Sequence, residues 1–145
     1  MKIKLKKLIE NAKLPAAGSV KAAGYDLYSC LEEVVTIPPH ETKMIGTGLA
    51  AAIPEGYFGG IFARSGLAAK QGLRPANCVG VVDADYRGEI KVALHNDTEQ
   101  PRAIESGERI AQLVVIPFLM LEFEEVDELD ETERGTGGFG HTGMN

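Results

Sequence analysis

Short runs rich in Val, Ile, Tyr and Phe recur about every ten residues along the chain and are separated by Gly, Pro and Asn. This spacing is typical of an all-β sandwich or barrel, and helical periodicity is almost absent. A short helix is predicted to begin at Ser65, a favourable N-cap residue, and to end at Gly72. The strands are predicted at Lys2 to Lys7, Glu33 to Ile37, Thr42 to Leu49, Tyr57 to Phe62, Gly88 to His95, Arg109 to Ile116 and Leu121 to Val126.

The segment from Val79 to Gly88 reads as a strand, a tight turn and a second strand. We therefore expect a β-hairpin with Asp83, Asp85 and Tyr86 at its bend. Carboxylates beside an aromatic ring suggest a binding site, although a simple polar turn explains the same pattern. Asp83 and Asp85 also begin like a calcium-binding loop, but the later ligands and the flanking helices of such a loop are missing.

The segment around Arg64 and Ser65 lies where a strand gives way to the predicted helix. Backbone N–H groups, a hydroxyl and a guanidinium could converge there on an anion. Ser65 as a nucleophile fits less well, because the sequence has no G-x-S-x-G elbow and no histidine with an obvious pairing to it. Ser65 as a plain helix cap remains the simpler alternative.

The composition changes after Val126, which predicts three parts: a β-barrel domain over residues 1–126, an acidic linker over 127–133 and a Gly-rich arm over 134–145. Glycine backbones are costly to order, so the arm is expected to be flexible until a ligand or partner chain orders it. Its glycines match the dinucleotide fingerprint G-x-G-x-x-G, but the required strand and helix are missing around them. Arg134 could still bind phosphate and Phe139 could stack on a base.

The chain has 145 residues, 44% of them hydrophobic and 25% charged, with a formal net charge of −6. These values indicate one globular domain and argue against a general nucleic-acid binder. No apolar run approaches the length of a membrane span, and the lysines at the N-terminus lack the apolar run of a signal peptide, so we expect no membrane partner. Cys30 and Cys78 lack metal-site or disulfide spacing, and free thiols suit a cytoplasmic protein.

Five segments, in order along the chain, resemble the motif set of the homotrimeric dUTPase family. The resemblance covers essentially the whole chain. It departs from the family at Cys78 in the third segment and at His141 in the fifth, where serine is common. The five segments are Ala23 to Tyr28, Ala63 to Ala68, Asn77 to Gly88, Gly107 to Leu113 and Arg134 to Gly143.

The resemblance implies a jelly-roll-like β-barrel with one short helix and a flexible Gly-rich tail. It implies a homotrimer with shared active sites, each closed by the arm of a neighbouring chain. The implied reaction is Mg²⁺-dependent hydrolysis of dUTP to dUMP and pyrophosphate, by attack of water on the α-phosphorus. That reaction limits uracil incorporation into DNA and supplies dUMP for thymidylate synthesis.

The resemblance also implies residue roles. Asp83 would be the catalytic carboxylate, and Asp26 would reach Mg²⁺ through water. The expected substrate-binding residues are Arg64, Ser65, Gln112 and Arg134 for the phosphates, Asn77, Tyr86 and Phe139 for the nucleoside, and Gly66, Gly80 and Gly140 as further substrate contacts.

Two other functions fit parts of this sequence. The related dCTP deaminases share the barrel and an Arg-Ser segment, but the glutamate they use falls on Ala93 here, and the zinc deaminase signature is also missing. A trimeric module that binds nucleotide without catalysis is the second alternative. The presence of Asp83 together with its partner residues argues against it.

Overall fold

The computed structural model describes residues 1–140, and within them the regular secondary structure is twelve β-strands and one short helix. This confirms the predicted all-β class. The elements are β1 (Lys4–Lys7), β2 (Ala16–Ala17), β3 (Tyr25–Tyr28), β4 (Val35–Ile37), β5 (Thr42–Gly46), β6 (Leu49–Ala52), β7 (Tyr57–Phe62), α1 (Ser65–Gln71), β8 (Leu73–Pro75), β9 (Val79–Val82), β10 (Lys91–Asn96), β11 (Arg102–Ile104) and β12 (Arg109–Pro117).

The strands pair antiparallel throughout the described residues. The largest sheet has the order β2-β3-β12-β7-β9, and a second sheet has the order β5-β10-β8. Two smaller pairs, β1 with β6 and β4 with β11, complete the barrel. Side chains alternate along a strand, so each sheet turns one set of residues inward. The inward residues form a single apolar core, to which the two larger sheets contribute Leu27, Ile61, Leu113, Ile45, Val92 and Leu94.

The structure differs from the prediction at several strands. Thr42 to Leu49 is not one strand, because Gly48 has a φ of 67° and turns the chain between β5 and β6. The strands β2, β3, β8 and β11 were not predicted, because each is too short to show a clear alternating pattern. The predicted strand from Leu121 to Val126 is wrong: Leu121 and Phe123 are 67% and 90% exposed, and no strand of the described chain pairs with this segment.

The hairpin predicted for Val79 to Gly88 is also wrong. β9 pairs with β7, whereas the next strand, β10, pairs with β5 and β8 in the other large sheet. The residues between them therefore connect two sheets, with a turn in which Tyr86 N–H donates to the Asp83 carbonyl at 3.1 Å. The local sequence pattern predicts a turn here. It cannot show that the two flanking strands pair with other strands rather than with each other, because those partners are distant in the sequence.

Asn96 holds the end of β10 to its neighbours. Its side chain is fully buried, and its amide donates to the carbonyls of Ile37, Pro38 and Gln100 at 3.0, 3.3 and 2.8 Å. Its Oδ1 accepts from the backbone N–H and the hydroxyl of Thr98 at 2.9 and 2.8 Å. One side chain thus satisfies five polar groups at a strand end. No helix within residues 1–140 is long and apolar enough to cross a membrane.

We predict that Asn96→Ala lowers the free energy of unfolding by about 2–4 kcal/mol, because it leaves buried carbonyls without donors. Urea denaturation at a fixed protein concentration would measure the change. Val20→Ala is the control, since Val20 is fully exposed and its truncation should change the value by less than about 0.5 kcal/mol. A loss below about 1 kcal/mol for Asn96→Ala would contradict this account of the strand end.

Candidate active site

A cleft of about 280 Å³ lies beside β9, the edge strand of the large sheet. Met44 of β5 and Lys91 of β10 line its opposite side, so the cleft lies where the two large sheets meet. Four residues that the resemblance assigned to substrate or catalysis line this one cleft: Asn77, Gly80, Asp83 and Tyr86.

The loop from Asp83 to Gly88 is shaped by its own hydrogen bonds. Tyr86 Oη donates to the Glu89 carbonyl at 3.0 Å, and Arg87 Nη1 donates to the Ala84 and Tyr86 carbonyls at 2.7 and 3.0 Å. A Cβ on Gly88 would collide with the Tyr86 ring, so this position needs glycine. Asp83 is exposed and takes part in no ion pair with the described residues, which leaves its carboxylate open to the cleft.

A second group of predicted residues is assembled around Asp26. Asp26 of β3 lies opposite Gln112 of β12, which in turn lies opposite Phe62 of β7. Arg64 follows β7 and donates from Nε to Asp26 Oδ1 at 2.7 Å, and Gln112 Nε2 donates to the Ala63 carbonyl at 2.8 Å. The structure therefore brings Asp26, Arg64 and Gln112 together.

Arg109 joins this group, and the sequence interpretation missed it. Its Nη1 lies 3.4 Å from Asp26 Oδ2. Arg109 lies three positions before Gln112, an odd offset that in a regular strand would place the two side chains on opposite faces. A register shift between Arg109 and Ala111 turns Arg109 to the face of Asp26. A single sequence gives no signal for such a bulge.

Ser65 and Gly66 are the first two residues of α1, beside Arg64. The N-cap residue is Arg64, with extended backbone, so the prediction of Ser65 as the cap is wrong. The helix has no side-chain cap hydrogen bond. Both Ser65 and Gly66 are at the surface, and a Cβ on Gly66 would meet nothing within 4 Å, so a ligand could approach its backbone closely.

The two groups do not share a cleft within one chain. Gln112 lines a separate cleft of about 440 Å³ together with Gly24, Phe62 and Cys78, whereas Ile61 lines the cleft of Asp83. The two clefts share no lining residue, so the Arg64 and Gln112 group and the Asp83 cleft are separate within one chain.

The described part of the arm reaches neither cleft. Arg134 Nε donates to the Gly137 carbonyl at 2.7 Å, which closes a small turn within the arm itself. Phe139 is fully exposed, and neither it nor Gly140 lines the two clefts. His141 and the rest of the predicted fifth motif, through Gly143, lie outside the described residues.

Asp26 is the position that the resemblance linked to Mg²⁺. Carboxylate oxygens are the ligands Mg²⁺ prefers, but both oxygens of Asp26 already contact guanidinium groups. Within residues 1–140 no three His, Cys, Asp or Glu side chains are grouped to hold a metal ion. Each oxygen of Asp26 keeps a second lone pair, so the site fits an ion that reaches the protein through water and takes its other ligands elsewhere.

The sequence model of the dUTPase family matches residues 10–143. The chain belongs to the dUTPase family. It is 49% identical over 144 residues to the deoxyuridine 5'-triphosphate nucleotidohydrolase of Hydrogenobaculum sp. and 52% identical over 143 residues to that of Nautilia profundicola, and each alignment covers 99% of both chains. As a dUTPase, the chain hydrolyses dUTP to dUMP and pyrophosphate.

Solved dUTPases have the same fold. A mutant of the dUTPase of phage 80alpha superposes with a TM-score of 0.88 at 33% identity, covering 97% of this chain and 98% of that one. A second mutant of the same phage enzyme, solved with dUpNHpp, superposes with a TM-score of 0.86 at 32% identity, covering 99% of each chain. The mostly β fold with one short helix is thus shared along nearly the whole chain.

We predict that Gly24→Ala lowers kcat/KM for dUTP about tenfold or more, because the added methyl would collide with Gln112 Oε1 and displace that side chain. The free energy of unfolding should change by less than about 1 kcal/mol, since the displaced atom ends a flexible side chain. Steady-state kinetics and urea denaturation would measure both quantities.

Gly18→Ala is the matched control, because a Cβ there would meet nothing within 4 Å. Its kcat/KM should equal that of the unchanged enzyme. Equal kcat/KM for Gly24→Ala and Gly18→Ala would remove Gln112 from the site.

Proposed function

We propose that the cleft beside β9 holds the deoxyuridine part of dUTP and that Asp83 is the catalytic carboxylate. The observation that supports this most strongly is the convergence of Asn77, Gly80, Asp83 and Tyr86 on one cleft. Met44 of β5 and Lys91 of β10 in the other large sheet also line this cleft, so the fold encloses these residues between the two sheets.

Asp83 accepts a proton from the water that attacks the α-phosphorus. The new P–O bond forms as the bond between the α-phosphorus and its bridging oxygen breaks, and pyrophosphate leaves with that oxygen. A carboxylate is a weak base, so positioning of the water and neutralisation of the phosphate charge supply most of the acceleration. The open position of Asp83 leaves room for the water.

The triphosphate binds to the group around Arg64. The Nε of Arg64 is occupied by Asp26, which leaves the two terminal NH₂ groups free to contact phosphate oxygens in a fixed orientation. The hydroxyl of Ser65, the backbone of Gly66 and the amide of Gln112 lie beside it as further hydrogen-bonding groups. Arg134 of the arm adds a second guanidinium.

dUTPases are typically Mg²⁺-dependent, and we extend this requirement to the chain. Asp26 would hold the ion through water, and the phosphate oxygens would supply most of its ligands. Bound there, Mg²⁺ would neutralise charge on the triphosphate. Asp26 itself keeps Arg64 oriented whether or not the ion is bound.

The nucleoside is selected by shape and by hydrogen bonding. Asn77 and the backbone near Gly80 face the polar edge of uracil, and Tyr86 packs against the deoxyribose. A Cβ on Gly80 would lie 3.2 Å from Ile61 Cβ, so this position suits glycine, whose backbone a base can approach closely. A base held this closely against the backbone would leave little room for a 5-methyl group. Phe139 and Gly140 of the arm cover the base. That a phage dUTPase was solved with dUpNHpp supports a deoxyuridine nucleotide as the ligand here.

The active enzyme is a homotrimer with shared sites. The separation of the Asp83 cleft from the Arg64 group within one chain supports this, because a second chain can bring its own Arg64 group to the cleft of the first. The segment that follows β12 also exposes apolar side chains, among them Leu119, Leu121 and Phe123, that a neighbouring chain could cover. The linker over 127–133 would then carry the arm over 134–145 to a neighbour's site.

Removal of dUTP limits uracil incorporation into DNA, and the dUMP formed feeds thymidylate synthesis. We place this reaction in the cytoplasm. Both cysteines of the chain are free thiols, which suits a reducing compartment.

The substrate assignment is tested by measuring pyrophosphate and nucleoside monophosphate release from dUTP, dTTP, dCTP and UTP in separate samples with Mg²⁺. We predict that only dUTP is consumed at an appreciable rate, because dTTP and UTP add a group to a tight site and dCTP leaves polar groups unpaired. Consumption of dCTP would favour the deaminase-related alternative, although Ala93 of β10 offers no acid or base for deamination. Tight dUTP binding without product release would favour a binding module.

We predict that Asp83→Asn lowers kcat by about 10²–10⁴-fold, because an amide cannot accept the proton from water. Nucleotide affinity should change by less than about threefold, as measured by titration calorimetry with dUMP. Asp85→Asn is the charge-matched control, since Asp85 lies in the same loop but does not line the cleft, and its kcat should stay near that of the unchanged enzyme. A near-normal kcat for Asp83→Asn would exclude the base role.

A further inference from the structure

Glu89 lies directly after the loop that carries Asp83 and Tyr86, and its side chain is tied to a different part of the barrel. Its Oε1 accepts a hydrogen bond from the backbone N–H of Gly48 at 2.9 Å, and its Oε2 lies 3.5 Å from Lys91 Nζ. Gly48 belongs to the turn between β5 and β6. The Glu89 carboxylate therefore links the end of the Asp83 loop to that turn.

The backbone at Gly46 and Gly48 packs closely against the Glu89 carboxylate. Gly46 of β5 lies opposite Lys91 of β10, and a Cβ on Gly46 would lie only 2.5 Å from Glu89 Oε1. The absence of a side chain at Gly46 therefore makes room for the carboxylate. Gly48 has a φ of 67°, a conformation that favours glycine and that directs its N–H to Glu89.

The same residue also contacts the loop through its backbone. The Glu89 carbonyl accepts a hydrogen bond from Tyr86 Oη at 3.0 Å, and Glu89 lines the cleft together with Asp83 and Tyr86. Glu89 thus stands between the loop on one side and the β5–β6 turn on the other. Any shift of Glu89 would be passed to Tyr86 through this hydrogen bond.

The neighbouring residue is held independently. The Ile90 carbonyl accepts from both the N–H and the hydroxyl of Thr47, at 3.2 and 2.7 Å, and Ile90 N–H donates to the Leu49 carbonyl at 2.8 Å. These bonds secure the start of β10 to the turn without the Glu89 side chain. Loss of that side chain should therefore release the loop rather than unfold the barrel.

We propose that Glu89 is a positioning residue, whose carboxylate anchors the Asp83–Gly88 loop to Gly48 and Lys91 and so sets the place of Asp83 in the cleft. This rests on the proposed role of Asp83. Glu89 does not touch the reacting atoms; it acts through the loop. Displacement of a reacting group by about 1 Å can cost about 10²-fold in rate, so a small movement of the loop has a large effect.

Glu89→Ala should lower kcat for dUTP about tenfold or more, because the loop loses its anchor. The dissociation constant of dUMP should rise by less than about threefold, because Asn77 and Gly80 lie before the loop and keep their places. Glu89→Gln keeps an oxygen that can accept from Gly48 N–H, so its kcat should stay within about threefold of the unchanged enzyme. Glu55→Ala, at an exposed turn, is the control for loss of a carboxylate and should have normal kcat.

Gly46→Ala gives an independent test that leaves Glu89 itself in place. Its methyl would displace the carboxylate, so kcat should fall as in Glu89→Ala. Normal kcat in both Glu89→Ala and Gly46→Ala would overturn the proposal. An equal loss of kcat in Glu89→Ala and Glu89→Gln, with matching loss of unfolding free energy, would also overturn it, since that pattern indicates a purely structural role.

Asp83→Asn measured in the same assay separates this proposal from the one it rests on. Normal turnover of Asp83→Asn would remove the role of Asp83 whatever Glu89 does. Impaired turnover of Asp83→Asn with normal turnover of Glu89→Ala would leave Asp83 in its role and reject the positioning role of Glu89.

Discussion

The antiparallel pairing of β12 with β3 on one side and β7 on the other is the constraint that assembles the group around Asp26. It aligns Asp26, Gln112 and Phe62 across three strands. The cleft of Asp83 shares no lining residue with the cleft of Gln112. Within one chain, the residues proposed to bind phosphate therefore lie apart from the carboxylate proposed for catalysis.

The distribution of charge reinforces this division. Up to Pro117 the chain has 14 basic and 13 acidic residues, whereas the segment after it has one basic and eight acidic residues. Residues 1–117 are thus nearly neutral, and the negative charge is carried by the segment after Pro117, which includes the linker and the arm. Like charges so close together oppose a compact fold, and glycine backbones oppose an ordered one. Both properties suit a segment that leaves its own barrel and is ordered elsewhere.

Much of the fold could be predicted from the sequence, because alternating apolar residues indicate strands and the five ordered motifs indicate the family. The motifs also pointed to residues that line the two candidate clefts, among them Asp83 and Gln112, whereas the roles of these residues stay predictions. The prediction failed where structure depends on contacts between distant residues. β9 and β10 look like a hairpin locally, yet their partners are β7 and β5. Leu121 and Phe123 have the pattern of a strand but no partner within the described chain.

Two contacts near the site could not be predicted from the sequence, because they depend on the local geometry of the backbone. Arg109 reaches Asp26 because of a bulge, and Glu89 reaches a backbone N–H about forty residues away along the chain. Neither a β-bulge nor a hydrogen bond from a distant backbone N–H can be recognised from the residue types of a single sequence. At Ser65 the residue type was misleading. Serine is a favourable N-cap residue, but the N-cap of α1 is the preceding residue, Arg64.

The most direct test of the shared site is a mixing experiment between two inactive proteins. One is Asp83→Asn at full length, and the other is the chain truncated after Glu133, which keeps Asp83 but lacks the arm. Refolded together in equal amounts, they should recover dUTP hydrolysis at about a quarter of the sites, because an intact Asp83 and an intact arm can then meet across a subunit boundary. A mixture no more active than its separate components would contradict the account and place each complete site within one chain.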